Sequence, residues 1–229
     1  MERLHGHRIN LAPFYDLASS DPALGLLVQR FRGMKPPRFP SVFEGVVNGF
    51  ACQQLTLTVG IHLLNRLTEN HGLTIGADGG SNHAFPRPED LANLGLETLR
   101  PLGFSRQKGR AMIELAKIGA DGHANLEGLA ALPDPEALAR LSQLRGVGRW
   151  TAEYVLLRTL GRLNVFPGDD VGASNNLQRW LGLEQHLDYA AVGRVLARWQ
   201  PYPGLVYFHL LLERLTEAGH LQTSTRPVA

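Results

Sequence analysis

The most constraining feature of the chain is a short one, Gly146-Val147-Gly148, which stands between two stretches whose apolar residues recur at helical spacing. Two glycines around one apolar residue admit the positive φ and close backbone approach that a sharp reversal between helices requires. A new helix opens at once after Gly148. The backbone N–H groups of Gly148, Arg149 and Trp150 therefore stand at a helix N-terminus without intrahelical acceptors. Such an end is a ready seat for a phosphate, and Arg145 and Arg149 add positive charge beside it. An ordinary helix–turn–helix hairpin satisfies the same three residues, so the motif alone leaves both readings open.

Apolar spacing elsewhere is helical almost throughout. Ser41 followed by Glu44 forms a capping box ahead of Phe43, Val46, Val47, Phe50 and Ala51 on one face. Gln53-Gln54 interrupts that run, and a second helix carries Val59, Leu63, Leu64 and Leu67 to a stop at His71-Gly72. Residues 72–87, with Gly76, Gly79 and Gly80, read as a loop holding a short extended piece at Leu73–Ile75. Further helices are expected from Pro88, from Ser105 to Ile118, from Asp134-Pro135-Glu136 to Leu144, and from Arg149 to Leu160. Three more follow at about 170–182, 188–199 and 204–218. Residues 1–40 carry five prolines, among them Pro13 and Pro22, and read as irregular apart from a helix at Leu24–Phe31. The tail from Gly219 is polar and is expected to fray. The pattern predicts an all-α fold of roughly eight to ten helices. Its parts are an arm over 1–40 packing on the C-terminal lobe, a helical lobe over 41–140, and a lobe over 141–229 that holds the hairpin.

Composition excludes several classes. With 229 residues, 44% hydrophobic and 19% charged, the chain can bury a core and is no disordered protein. No apolar run reaches the roughly 18 residues of a membrane span, and the polar start Met1 to Asn10 does not read as a signal peptide. The single cysteine, Cys52, excludes an internal disulfide and a cysteine-ligated zinc or iron–sulfur site, and fits a reducing, cytoplasmic setting. A net charge of +2 implies no partner by itself. Lysine occurs only at Lys35, Lys108 and Lys117, so any lysine-dependent chemistry has few candidates.

The stretch LSQLRGVGRWTAEYVLLRTLGRLNVFPGDD, from Leu141 to Asp170, resembles the helix–hairpin–helix DNA glycosylases: hairpin, helix, loop, then an aspartate at the mouth of the next helix. Three other segments carry the same resemblance. They are Lys35-Pro36-Pro37-Arg38-Phe39-Pro40 with Phe43-Glu44, Ala51-Cys52-Gln53-Gln54-Leu55, and Leu102 to Arg110. Together they span about residues 22–218. Within the family the likeness is strongest to the bacterial 3-methyladenine DNA glycosylase II (AlkA) group. Bifunctional members place a lysine beside the hairpin, where it attacks the sugar and forms a Schiff base. Here Arg149-Trp150 follow the hairpin, and the four-cysteine cluster motif of the endonuclease-III type is absent. Some members of the group carry an added N-terminal sheet domain, for which residues 1–40 are too few and too proline-rich.

The resemblance implies two lobes with the active site in the cleft between them, and an enzyme that removes alkylated bases from double-stranded DNA with water as nucleophile. Asp170 is then the catalytic carboxylate, facing the positive charge that develops on the deoxyribose, with Asp169 as a helix cap or local support. Trp150 and Tyr154, four apart on one helix face, line the pocket for the flipped base together with Gln53 and Leu211; electron-rich rings favour a cationic alkylated purine. Gln54 matches the residue that wedges into the gap in the duplex. Gly146, Gly148, Arg149, Arg145, Arg106 and Lys108 are the expected DNA-backbone contacts. No organic cofactor or catalytic metal is implied, although carbonyls of Ser142, Leu144 and Val147 could hold one monovalent cation. A monomer bound to damaged duplex DNA, near the bacterial nucleoid and away from membranes, is the expected setting.

Each assignment has a plainer alternative: an aspartate that only caps a helix, two core aromatics, polar breaks at a helix junction, a solvated basic face. One departure stands out. In Tyr207-Phe208-His209-Leu210-Leu211 the family's stacking aromatic is expected at the last position, where this chain has Leu211. Tyr202, Phe14 and Tyr15 are candidates to replace it. Two other readings stay open on the sequence: a glycosylase for deaminated bases such as uracil or hypoxanthine, and a DNA-binding module without catalysis.

Overall fold

Proline and small polar residues set the helix starts. The computed structural model describes residues 4–75, 82–122 and 125–221. Among them are twelve α-helices: α1 (Ala12–Ser19), α2 (Pro22–Arg30), α3 (Val42–Cys52), α4 (Leu57–His71), α5 (Pro88–Leu91), α6 (Leu96–Leu99), α7 (Arg106–Ala120), α8 (Asp134–Ser142), α9 (Arg149–Val155), α10 (Val171–Trp180), α11 (Tyr189–Leu196) and α12 (Pro203–Glu217). The all-α expectation holds, with more helices than predicted. Helix α1 was hidden by Pro13, which occupies a first-turn position where its missing N–H costs nothing. The start at Pro88 resolves into two four-residue helices, α5 and α6. One ladder also forms: β1 (Thr74–Ile75) pairs antiparallel with β2 (Asn82–His83), Thr74 opposite His83. The expected loop glycines Gly76, Gly79 and Gly80 lie outside the described residues, as does most of the tail expected to fray.

The chain divides into two compact units, Phe39–Leu160 on one hand and Met1–Arg38 with Gly161–Ala229 on the other. The sequence predicts a boundary at residue 141. The structure places the hairpin and α9 with the middle of the chain instead, because the hairpin docks on α3 and α7.

In the first of these, the hairpin unit, α3 is the central element. Ser41 Oγ accepts the Glu44 N–H at 3.1 Å at its start, and Val42, Phe43, Val46, Val47, Phe50 and Ala51 are buried. Gly45 and Gly49 let the following helices pack against it: a Cβ at these sites would lie 2.0 Å from Thr159 Oγ1 and 2.8 Å from Thr151 Cγ2. Helix α9 continues into one π-helical stretch, Leu156–Leu160.

In the second, the aspartate unit, the N-terminal arm completes the core of the C-terminal helices. Phe14, Leu24, Leu27 and Val28 cluster with Leu177, Leu196, Trp199, Leu205, Val206 and Leu210. Asp21 joins the two stretches of chain. Its carboxylate caps α2 by accepting from Ala23 N and Leu24 N at 3.0 and 3.1 Å, and also takes the Trp199 Nε1–H at 2.8 Å. Burial alone would raise its pKa, but the Leu24 amide, the Trp199 indole, Arg198 and the Ala23 amide outweigh it, and the carboxyl sits below its ordinary value.

Candidate functional site

In the hairpin unit the reversal between α8 and α9 is closed by a Val147 N–H bond to Leu144 O at 3.1 Å. The two glycines do different work. Gly146 has φ +80°, and a Cβ there would lie 2.9 Å from Ala111 Cβ and 3.3 Å from Phe50 Cε1. Gly148 is the N-cap of α9 with φ −91° and ψ −179°, an extended backbone open to any residue, and a Cβ there would meet nothing within 4 Å. No side chain caps α9. Arg149 is exposed beside it. Arg145 pairs with Glu114 at 2.7 Å on the surface, next to Arg110 and Lys117 in a shallow groove. Of the carbonyls expected around a cation, that of Leu144 already accepts the Val147 N–H, which leaves one of its lone pairs.

Gln53 and Gln54 separate into two roles at the end of α3. Gln53 is half-buried, and its Nε2 donates to Gly146 O at 2.9 Å and to Thr151 Oγ1 at 2.8 Å. Its amide nitrogen thus ties the end of α3 to the hairpin. Gln54 is exposed and has φ +56°, the one non-glycine positive φ among the described residues. A glutamine held in that region stores strain of about 1–3 kcal/mol. The clamp on this turn is Lys108. Expected on a DNA phosphate, it instead sends its Nζ to Gln53 O at 2.7 Å and Ala51 O at 3.4 Å. A cation on the last carbonyls of a helix answers the helix dipole, and burial lowers the Lys108 pKa. Arg106, two residues earlier, is exposed at the start of α7.

Trp150 and Tyr154 stack with centroids 5.3 Å apart and planes 27° off parallel. Trp150 is half-buried; Tyr154 is buried, and its hydroxyl donates to Asn48 Oδ1 at 2.7 Å. Phe39 adds a third ring 6.2 Å from Tyr154, with the Arg158 guanidinium within 6 Å of both. Asn48 and Phe39 were not legible as part of this cluster. Asn48 lies one helical turn before Cys52 on α3, and a polar residue on an otherwise buried face was the available signal.

In the aspartate unit the loop after Gly161 ends at Asp169-Asp170. Asp170, not Asp169, is the cap: its Oδ1 accepts the Ala173 N–H at 2.9 Å at the start of α10. Its Oδ2 accepts the Tyr207 hydroxyl at 3.1 Å from α12. Asp169 is exposed. Tyr207 is half-buried, with Phe166 edge-on at 5.4 Å and Phe208 at 5.7 Å. Leu211, the position expected to be aromatic, is half-buried one turn further along α12. An aromatic does stand on that helix face, but at 207. Phe14 is not a substitute, because it is fully buried in the core. Tyr202 packs edge-on to Phe14 at 5.6 Å, and the Tyr15 hydroxyl accepts the Gly33 N–H at 2.8 Å. His209 is buried with Nδ1 2.7 Å from Leu205 O; burial outweighs that bond and lowers its pKa.

No group of three or more His, Cys, Asp or Glu residues among the described ones could hold a metal ion, and no described helix is long and apolar enough to cross a membrane. A glycine-pinned hairpin, an uncapped helix behind it, a stacked aromatic pair on that helix and an aspartate at the mouth of the next one define a class. The chain belongs to the HhH-GPD superfamily of base excision DNA repair proteins, which it matches over residues 47–201. It is 28% identical over 201 residues to the DNA-3-methyladenine glycosylase of Bacillus subtilis, a match covering 88% of this chain and 66% of that protein. The chain therefore spans just under two thirds of the length of that curated relative. Among solved structures it is similar to the 3-methyladenine DNA glycosylase of Archaeoglobus fulgidus, with TM-score 0.83 and 29% identity over 94% of this chain and 73% of the other. It is also similar to the Schizosaccharomyces pombe 3-methyladenine DNA glycosylase in complex with abasic DNA, with TM-score 0.73 and 25% identity over 92% of this chain and 97% of the other.

Proposed function

We propose that the protein is a monofunctional DNA glycosylase that hydrolyses the N-glycosidic bond of alkylated bases, 3-methyladenine and 7-methylguanine, in double-stranded DNA. The observation that carries this reading is the Asp170 carboxylate, held at both oxygens at the start of α10. Departure of an alkylated base leaves positive charge on the deoxyribose. A fixed carboxylate stabilises that charge and orients a water to attack the sugar carbon; the base leaves with the bonding pair, and the water proton passes to the carboxylate or to solvent. The name of the Bacillus subtilis relative and the abasic-DNA complex of the yeast one support the same substrate class.

The remaining assignments follow the same reading. The stacked pair Trp150 and Tyr154 receives the cationic purine, and Gln54, exposed on a strained backbone, fills the gap in the duplex. The hairpin amides, with Arg149, Arg145 and Arg106, hold phosphates, and the hairpin carbonyls of Ser142, Leu144 and Val147 are the seat of a monovalent cation. Lyase chemistry lacks its nucleophile. Lys108 spends its ammonium on two carbonyls, Lys35 donates to His7 O at 3.1 Å, and Lys117 stands in the groove along α7.

The test is excision from duplexes carrying defined lesions. The product should be an intact abasic site that breaks only on alkali treatment, with 3-methyladenine released faster than hypoxanthine. Borohydride trapping of a protein–DNA adduct, or no release of any base, would sink the reading.

A further inference from the structure

We infer that Tyr207 is a positioning residue that fixes the orientation of the Asp170 carboxylate. The inference rests on the reading of Asp170 as the reacting carboxylate. An N-capping aspartate needs only one oxygen on the helix, and Asp170 uses Oδ1 for that purpose, at 2.9 Å from Ala173 N. A single hydrogen bond at Oδ1 tolerates a range of angles, so the helix cap alone limits the broad Cβ–Cγ torsion only loosely. The Tyr207 hydroxyl closes off that freedom by donating to Oδ2 at 3.1 Å.

The donor is itself held. Tyr207 sits in α12 with Phe166 packed edge-on, at 84° and 5.4 Å, and Phe208 perpendicular at 5.7 Å. A ring penned on two sides presents its hydroxyl at one place. The carboxylate plane is thereby defined by two elements, the first turn of α10 and one turn of α12. A fixed anion that does not have to reorganise as charge develops is worth more than one that does. The bond to Oδ2 is also charge-assisted, which makes it stronger than a neutral one. Tyr207 lies one turn before Leu211 on the same helix face, so the face that lacks an aromatic at 211 offers this one, with its polar end on the carboxylate.

The experiment is single-turnover release of 3-methyladenine by the full chain and by Tyr207→Phe, Tyr207→Leu, Asp170→Asn and the Tyr207→Phe/Asp170→Asn double variant. Affinity for abasic-site DNA and melting temperature are measured alongside. Tyr207→Phe keeps the ring and removes the donor. It should lower the single-turnover rate on the order of tenfold to a hundredfold, the worth of one hydrogen bond to a charged group, with affinity and melting temperature unchanged. In the Asp170→Asn background the same change should add almost nothing, because the hydroxyl acts through the carboxylate. A wild-type rate for Tyr207→Phe beside an inactive Asp170→Asn overturns the inference and leaves Asp170 standing. So does equal loss in both backgrounds, or a rate that falls only together with the melting temperature, or a rate lost in Tyr207→Leu but kept in Tyr207→Phe. Full activity in Asp170→Asn removes the assignment of Asp170, and the inference with it.

Discussion

The N-termini of α9 and α10 are built in opposite ways. Helix α9 starts at Gly148, where no side chain caps it and a Cβ would meet nothing. Helix α10 starts at Asp170, whose carboxylate turns back on the Ala173 amide and takes a hydroxyl from α12 on its other oxygen. Both ends carry the positive pole of a helix dipole. In α10 a covalently attached anion answers it. In α9 the N-cap residue, a glycine, has no side chain to supply one. The proposed roles follow that contrast: a phosphate at the end without a side-chain cap, and at the other a carboxylate whose negative charge repels phosphate. The difference rests on one side chain at each N-cap, carboxylate or hydrogen.

Four experiments break or sharpen that contrast. The largest effect is expected at the capped end. Asp170→Asn keeps a good N-cap and removes the charge, so melting temperature should hold while single-turnover excision falls by about 10²–10³. Abasic-DNA affinity should survive. Asp169→Asn should change little, and an inactive Asp169→Asn with an active Asp170→Asn would reverse the assignment within the pair.

Next is the turn that presents the open end. Gly146→Val meets both a positive φ and the Ala111 methyl. Backbone strain and overpacking together should cost about 2–4 kcal/mol in chemical denaturation and weaken abasic-DNA binding. Gly148→Ala should leave stability unaffected; equal losses at the two glycines would refute the division of labour between them.

The capped end leans on α12, and acid probes that support. His209 is held below its ordinary pKa by burial, so in the folded state it resists a proton that the unfolded chain accepts. Its stabilising contribution is present above pH of about 6.5 and is lost as pH falls below it, at up to about 1.4 kcal/mol per pH unit. Denaturation midpoints between pH 7.5 and 5.5 should fall more steeply for the native protein than for His209→Phe. Parallel slopes would show that His209 does not govern this limb.

The smallest effect comes from making α9 resemble α10. Gly148→Asp adds a cap where a Cβ has room, and should raise stability by a few tenths of a kcal/mol while weakening DNA binding through the new negative charge. Unaltered binding would mean that the open end of α9 is not where phosphate sits.

Local features were legible along the chain because they depend on neighbours in sequence. The starts of α3, α7 and α8 followed from Ser41, Ser105 and Pro135, and the stacked pair followed from the four-residue spacing of Trp150 and Tyr154. Long-range partners were not. Phe14 read as a candidate for the missing stacking aromatic and is a core residue. Lys108 read as part of a basic surface, yet its ammonium holds the carbonyls that precede Gln54. Tyr207 carries no local signal beside Leu211, since nothing in its sequence neighbours announces that its hydroxyl meets an aspartate 37 residues away.

The sequence by itself determined the helical class, the hairpin, and the family to which both belong, because apolar periodicity, caps and glycines act over a few residues. Only the tertiary structure decided which of two adjacent aspartates turns inward, which of two glycines the backbone requires, and which unit the hairpin joins. Those choices depend on what stands opposite in space: Ala111 and Phe50 across from Gly146, Tyr207 across from Asp170. Hydrogen bonds and close packing act over a few ångströms whatever the separation along the chain, so residues distant in sequence settle what neighbouring ones leave open.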